Sequence, residues 1–313
     1  MKMDCLTVGE PLVSFDSDDL PLDAAATVRT SAVGAESNVA IGLARLGWSV
    51  GYVGRVGEDS AGRIITRTLR GEGVDVTGLR TVGDRATALL LKEGDGPGRV
   101  AVTYYRAGSA GSTLAPADLP SDFAGIRRLH VTGITLVLGD SARAAVLEAM
   151  RRARAAGARV SLDANFRRKL AADEVLAAAF AEAAPLADEI LLGHGEAALC
   201  AGSDDERAIE DWARTLPART VVLKGARGGA VALVDGERHA HAPRPVVVVD
   251  PVGSGDAFAV GFLHELLAGR GIDAALATGA RVAARVIGRR GDYQGLPYAD
   301  DLARGEAAVG VSR

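Results

Sequence analysis

Residues Asp250-Pro251-Val252-Gly253-Ser254-Gly255-Asp256 put two glycines, a small polar residue and a carboxylate into one tight segment. The β-branched run 246–249 precedes it and reads as a strand; the apolar stretch 257–267 follows and reads as a helix. Glycines between a strand and a helix let the backbone approach a ligand closely. The first turn of a helix also carries amides with no partner inside the helix, and these suit an anion. An anion cradle with a carboxylate inside it suits phosphoryl transfer to a hydroxyl. Gly253, Ser254 and Gly255 would steady the developing charge, and Asp256 would accept the hydroxyl proton. Taken alone, the segment fits equally a glycine-rich turn whose aspartate satisfies the helix backbone.

The surrounding pattern supplies a frame for that turn. Short apolar runs at 6–8, 50–53, 129–131, 160–162, 190–192 and 221–223 read as buried strands. Helical patterns cover 34–47, 61–70, 141–156, 174–184 and 208–216, with Gly47 and Gly157 as stops and Asp140 or Ser141 as a cap. Strands alternating with helices predict parallel β-α-β units and an α/β, doubly wound, mainly parallel sheet. Two stretches, 12–33 and 86–107, look strand-like and hold no helix. The second carries a predicted hairpin turn, Gly94-Asp95-Gly96-Pro97-Gly98. They predict a small separate sheet acting as a lid on a single domain spanning 1–313, a device that keeps water from a reacting phosphoryl group.

The chain has 313 residues, 48% of them hydrophobic, enough for one large core with a small appendage. A formal net charge of -4 with scattered positive residues speaks against a nucleic-acid partner. No apolar run approaches the roughly 20 residues of a membrane span, and the first residues lack the apolar core of a signal peptide. The two cysteines, Cys5 and Cys200, form no metal or redox motif, so a reducing cytoplasmic setting is expected. His239 and His241 share a strand face but lack a third ligand nearby, and read as a solvent-facing hairpin. Phosphate-loop, dinucleotide-binding and protein-kinase motifs are all missing.

Segment 250–258 closely resembles the signature of the ribokinase-like (pfkB) carbohydrate kinases, with Ser254 where alanine is usual. A second family signature reads Gly34-Ala35-Glu36-Ser37-Asn38-Val39-Ala40, with Val33 where a first glycine is usual. The resemblance covers essentially the whole chain. It implies a ribokinase-like fold, ATP and Mg2+ as cofactors, with room for a monovalent cation, and Asp256 as catalytic base beside a Gly253-Ser254-Gly255 anion hole. Lys224, Gly225, Arg227 and Gly228 resemble the loop around the nucleotide, with Asn165, Arg167, Gly253 and Gly255 near the phosphates. Glu196 would organise magnesium through water, although Gly193 stands where asparagine is common.

Within the family the chain looks most like the 2-keto-3-deoxygluconate kinases. Four stretches carry the likeness: Gly9-Glu10-Pro11-Leu12-Val13, Tyr104-Tyr105-Arg106 with Gly108-Ser109-Ala110, Asp163-Ala164-Asn165-Phe166-Arg167 and Arg290-Gly291-Asp292-Tyr293-Gln294-Gly295. The match implies that Gly34, Asn38, Tyr104, Arg106, Arg167 and Asp292 contact a sugar acid. The residue types agree: a carboxylate-bearing substrate needs a cation, arginine binds both its oxygens, and Arg106 and Arg167 are both available. Ser14 stands where neutral-sugar kinases of the family carry an aspartate, which removes a negative charge from an anion's path. The expected activity is phosphorylation of 2-dehydro-3-deoxy-D-gluconate to its 6-phosphate. The galactonate epimer, fructose or ribose are rival substrates, and a catalytically silent sugar-acid sensor is the rival from another class. Exposed lid strands predict a homodimer or an assembly of dimers.

Overall fold

A computed structural model of the chain describes residues 2–18, 20–94, 100–226, 229–242 and 245–303. The chain opens with β1 (Met3–Val8), β2 (Leu12–Asp16), β3 (Arg29–Val33), α1 (Ala35–Arg45), β4 (Val50–Gly57) and α2 (Ser60–Gly71). Next come β5 (Asp75–Val82), β6 (Ala88–Gly94), β7 (Val100–Tyr105), β8 (Ile126–Thr132), α3 (Gly133–Leu136), α4 (Asp140–Ala155), β9 (Arg159–Asp163) and α5 (Asp173–Ala183). The last part holds β10 (Glu189–Gly193), α6 (His194–Ala201), α7 (Glu206–Ala213), β11 (Thr220–Ala226), β12 (Gly229–Val234) and β13 (Glu237–His241). It closes with α8 (Ser254–Leu267), α9 (Ile272–Ile287) and α10 (Ala299–Ala303).

Nine strands form one sheet in the order β13-β12-β11-β10-β9-β8-β1-β4-β5, antiparallel within the β11-β12-β13 edge and parallel elsewhere. This is the doubly wound sheet expected from the alternation of strands and helices. Its strands are short apolar runs because both faces are covered. In β10, Ile190 and Leu192 pack into one hydrophobic cluster while Leu191 between them packs into the other. Each such fully buried side chain contributes roughly 1.5–3 kcal/mol by leaving water. Strand order reverses at β1, and the crevice beyond the carboxyl ends of the strands is where open α/β sheets receive ligands.

The stretches 12–33 and 86–107 supply a second, four-stranded sheet in the order β3-β2-β6-β7. Leu12, Val33, Ala88 and Leu90 form one apolar face of it, with Val102 and Tyr104 packed alongside. Tyr105, one residue on, is 60% exposed, as a period of two requires. Residues 95–99, and with them most of the predicted turn 94–98, lie outside the described residues.

Two expectations are corrected. The run 246–249 is not a strand: Val247 is 81% exposed, and no sheet neighbour pairs with the run among the described residues. The amides of Val249 and Asp250 donate instead to the carbonyl of Ile287 at the end of α9. β-branched residues favour strands where a pleated neighbour packs against them, and here none does. The cap of α4 is Gly139, with no side-chain hydrogen bond, rather than Asp140 or Ser141, which begin the helix itself.

Candidate active site

Gly253 caps α8 in a left-handed conformation, φ +79°, and a Cβ there would stand 2.5 Å from the carbonyl oxygen of Asp292. Both conditions demand glycine. The first amide of α8 to reach back along the helix is that of Ala257, which donates to the Gly253 carbonyl at 2.9 Å. The amides of Gly255 and Asp256 precede it and have no partner inside the helix. Asp256, 6% exposed, is held from two sides. Asn38 Nδ2 on α1 donates to its Oδ2 at 2.8 Å, and Asn165 Nδ2 donates to its Oδ1 at 3.0 Å. Asn165 itself adopts φ +42°, which asparagine tolerates better than most residues.

Two cavities meet at Asp256. The larger, about 640 Å³, is lined on its polar side by Asn165, Arg167, Glu196, Lys224 and Gly225. Its apolar end is built from Val246, Ala280, Ala283, Ala284 and Ile287. The smaller, about 60 Å³, is walled by Glu10, Gly34, Glu36, Asn38, Arg106 and Asp292. Tyr104, Arg167, Val252, Gly253 and Asp256 line both. The residues named for the sugar acid therefore gather at the smaller cavity and those named for the nucleotide at the larger. Arg227 and Gly228 lie outside the described residues. Ser14 is buried in β2 but lines neither cavity.

The two departures from the family signatures have local explanations. Val33 ends β3 in register with Leu12, buried and without a positive φ, so the position makes no demand for glycine. Gly193 holds Glu196 by its backbone amide, which donates to Oε2 at 2.5 Å, and any residue type supplies that amide.

The charges around Asp256 are paired in ways the sequence does not announce. Lys224 Nζ stands 2.5 Å from Oδ2 of Asp163, whose Oδ1 accepts from the Asn165 amide at 3.2 Å. Burial works against the Lys224 ammonium, but Asp163, Glu196 and Asp256 outweigh it and raise its pKa. Burial raises the pKa of Glu196, whose oxygens accept from the Phe166 and Gly193 amides. Arg106 is already matched: its Nε donates to Glu10 at 2.7 Å, and its guanidinium lies 5.4 Å from the Tyr104 ring centre. It is therefore less available than its isolated position in the sequence suggested, and Arg167 is left as the cation facing both cavities. Among the described residues Arg167 makes a single hydrogen bond, of 3.2 Å, to the carbonyl of Phe166. Lys92 has no motif around it in the sequence, and Glu10 and Asp163 stand there only as members of matching stretches, with no role of their own. His241 is half-buried and lines the larger cavity, which corrects its reading as solvent-facing.

Asp292 titrates unusually. Burial lifts its pKa from 3.8 to about 6, against the pull of Lys92, and the carboxylates of Asp250 and Asp256 add to the rise. An unfolded Asp292 loses its proton at the lower value and the folded one at the higher. Between them the native state binds the extra proton, so stability falls as pH rises through that window, by at most about 3 kcal/mol. Asp292→Asn removes this dependence. Urea unfolding at pH 4 and pH 7 should show the variant gaining on the parent by about that amount as pH rises; an unchanged gap contradicts the assignment.

A family model described as pfkB family carbohydrate kinase matches residues 4–299. The chain belongs to the pfkB family of carbohydrate kinases. As a pfkB kinase it is a phosphotransferase with an alcohol group as acceptor. The 2-dehydro-3-deoxygluconokinase of Bacillus subtilis strain 168 is 36% identical over 308 residues, covering 97% of this pfkB chain and 95% of the relative. A fructokinase of Klebsiella pneumoniae is 38% identical over 281 residues, covering 87% and 90%. The fold is shared with aminoimidazole riboside kinase from Salmonella enterica, solved with aminoimidazole riboside and an ATP analog. Its TM-score is 0.85 at 26% identity, covering 97% of this chain and 100% of that one.

The donor set of this pfkB kinase suits magnesium held at one remove. Among the described residues no three His, Cys, Asp or Glu side chains converge as a metal cage. Asp163 and Glu196 instead reach the larger cavity with both oxygens of each already accepting a hydrogen bond. Such carboxylates fit a magnesium ion that keeps several waters and takes its other ligands from phosphates.

Proposed function

We propose that this kinase transfers the γ-phosphoryl group of ATP to the terminal hydroxyl of 2-dehydro-3-deoxy-D-gluconate, giving the 6-phosphate. The observation that carries the reading is the place of Asp256, at the junction of a nucleotide-sized cavity and a small one faced by Arg167. The larger volume falls within the roughly 300–1,000 Å³ of ligand pockets. Its apolar end suits a planar base, and Lys224 with the first turn of α8 suits phosphates. In the smaller cavity the fork of Arg167 suits the substrate carboxylate. The terminal hydroxyl then lies at Asp256.

Asp256 accepts the hydroxyl proton while the hydroxyl oxygen bonds to the γ-phosphorus and the bond from phosphorus to the β–γ bridging oxygen breaks, releasing ADP. Asn38 and Asn165 hold the carboxylate in line. The amides of Gly255 and Asp256 meet the charge on the transferring group. Magnesium, when bound, spreads the charge of the β- and γ-phosphate oxygens. The small sheet acts as a lid, closing its apolar face over the sugar and excluding water that would hydrolyse ATP. A chain of this kind works in the cytoplasm.

Release of ADP from MgATP on adding the sugar acid, with the phosphate located on the terminal oxygen by phosphorus NMR, tests the reading. A silent sensor would bind the sugar acid and release no ADP. The edges of the small sheet, β3 and β7, also support a homodimer in which two lids cover each other. Light scattering at the mass of one chain would contradict the dimer.

A further inference from the structure

Lys92 belongs to the small sheet, yet its ammonium is buried between the carboxylate of Asp250, which opens the turn before α8, and that of Asp292, beyond α9. Along β6, Ala88, Leu90 and Lys92 occupy alternate buried positions, so the lysine stands where the site-facing row calls for another apolar residue. Its side chain is 3% exposed, and Nζ stands 2.5 Å from Oδ2 of Asp250 and 3.3 Å from Oδ1 of Asp292. Those two residues brace Gly253 from both sides. Asp250 opens the turn, accepting from the amide of Val252 through Oδ1 and from the amide of Gly291 through Oδ2, each at 3.1 Å. Asp292 packs its backbone against the Cα of Gly253.

We propose that Lys92 is a positioning residue. Its internal cation holds the 250–253 turn so that the amides of Gly255 and Asp256 aim at the transferring phosphoryl group. Two carboxylates this close and this dry repel each other unless a cation lies between them, and a buried charge left without its partner distorts what surrounds it. The cation comes from the lid sheet, so seating that sheet also completes the γ-phosphate site.

The inference rests on the kinase reading through ATP alone, so nucleotide binding without an acceptor tests it. In Lys92→Met, calorimetry with magnesium should show ATP bound on the order of 10-fold more weakly and ADP within about twofold of the parent, because the turn meets the γ-phosphate. In Lys92→Ala, which leaves room for a small cation, methylammonium should restore part of the ATP affinity, and bulkier tetramethylammonium should not. Equal weakening of both nucleotides, unchanged ATP binding, or no rescue by methylammonium overturns the proposal. Where the single variant fails to fold, Lys92→Met with Asp250→Asn removes the nearer of the two buried carboxylates that lose their cation. That double variant should keep the lowered ATP-to-ADP ratio, and a parental ratio overturns the proposal. Should ATP and ADP behave as expected while no sugar acid is phosphorylated, the substrate reading falls and the role of Lys92 stands.

Discussion

Asp256→Asn is expected to lower kcat by about 10²–10⁴-fold while leaving the fold intact. On the proposed reading the carboxylate at the cavity junction accepts the hydroxyl proton, and an amide of the same shape cannot take it. The fold survives because the side chain keeps its volume. The hydrogen bonds change, however. Asn38 and Asn165 both aim amide donors at Asp256, one at each oxygen. An asparagine at 256 accepts through one oxygen alone and sets an N–H group against the other donor, so about 1–3 kcal/mol of stability is expected to go with it. Thermal unfolding alongside single-turnover kinetics separates the two effects. A folded variant with near-parental kcat would remove Asp256 from the proton-transfer step.

Arg167→Leu is expected to reduce kcat/KM for the sugar acid by about 10²-fold or more. Binding would then bury the substrate carboxylate without its cation. Fructose, which has no carboxylate, should lose far less. The contrast with Arg106 sharpens the expectation, because the charge of Arg106 is already met by Glu10 inside the small cavity wall. Truncating Arg106 would leave the Glu10 carboxylate without its cation and disturb the fold, whereas among the described residues Arg167 makes one hydrogen bond and no ion pair. An equal loss for sugar acid and fructose would mean that Arg167 serves the phosphates rather than the carboxylate.

Local geometry is what makes parts of this site legible in the sequence. Gly253 is readable because both its left-handed φ and its contact with Asp292 exclude a side chain. The doubly wound sheet is readable because strands buried on both faces become short apolar runs separated by amphipathic helices. What is hidden is long-range pairing. Asn38 lies 218 positions from Asp256, and Lys92 lies 158 from Asp250. The trace of Lys92 in the sequence is a break in the alternation of Ala88 and Leu90. The opposite failure occurs at 246–249, where four β-branched residues suggest a strand that no neighbouring strand completes. Composition reports what a segment prefers, and the fold decides whether a partner is there.

A kinase for an anionic sugar is told from one for a neutral sugar by kcat/KM for MgATP-dependent ADP release. The substrates to compare are 2-dehydro-3-deoxy-D-gluconate, its galactonate epimer, fructose and ribose. The two sugar acids should exceed both neutral sugars, with the gluconate form first. Fructose or ribose turning over as well as either acid, or ADP release that ignores all four, would contradict the sugar-acid reading.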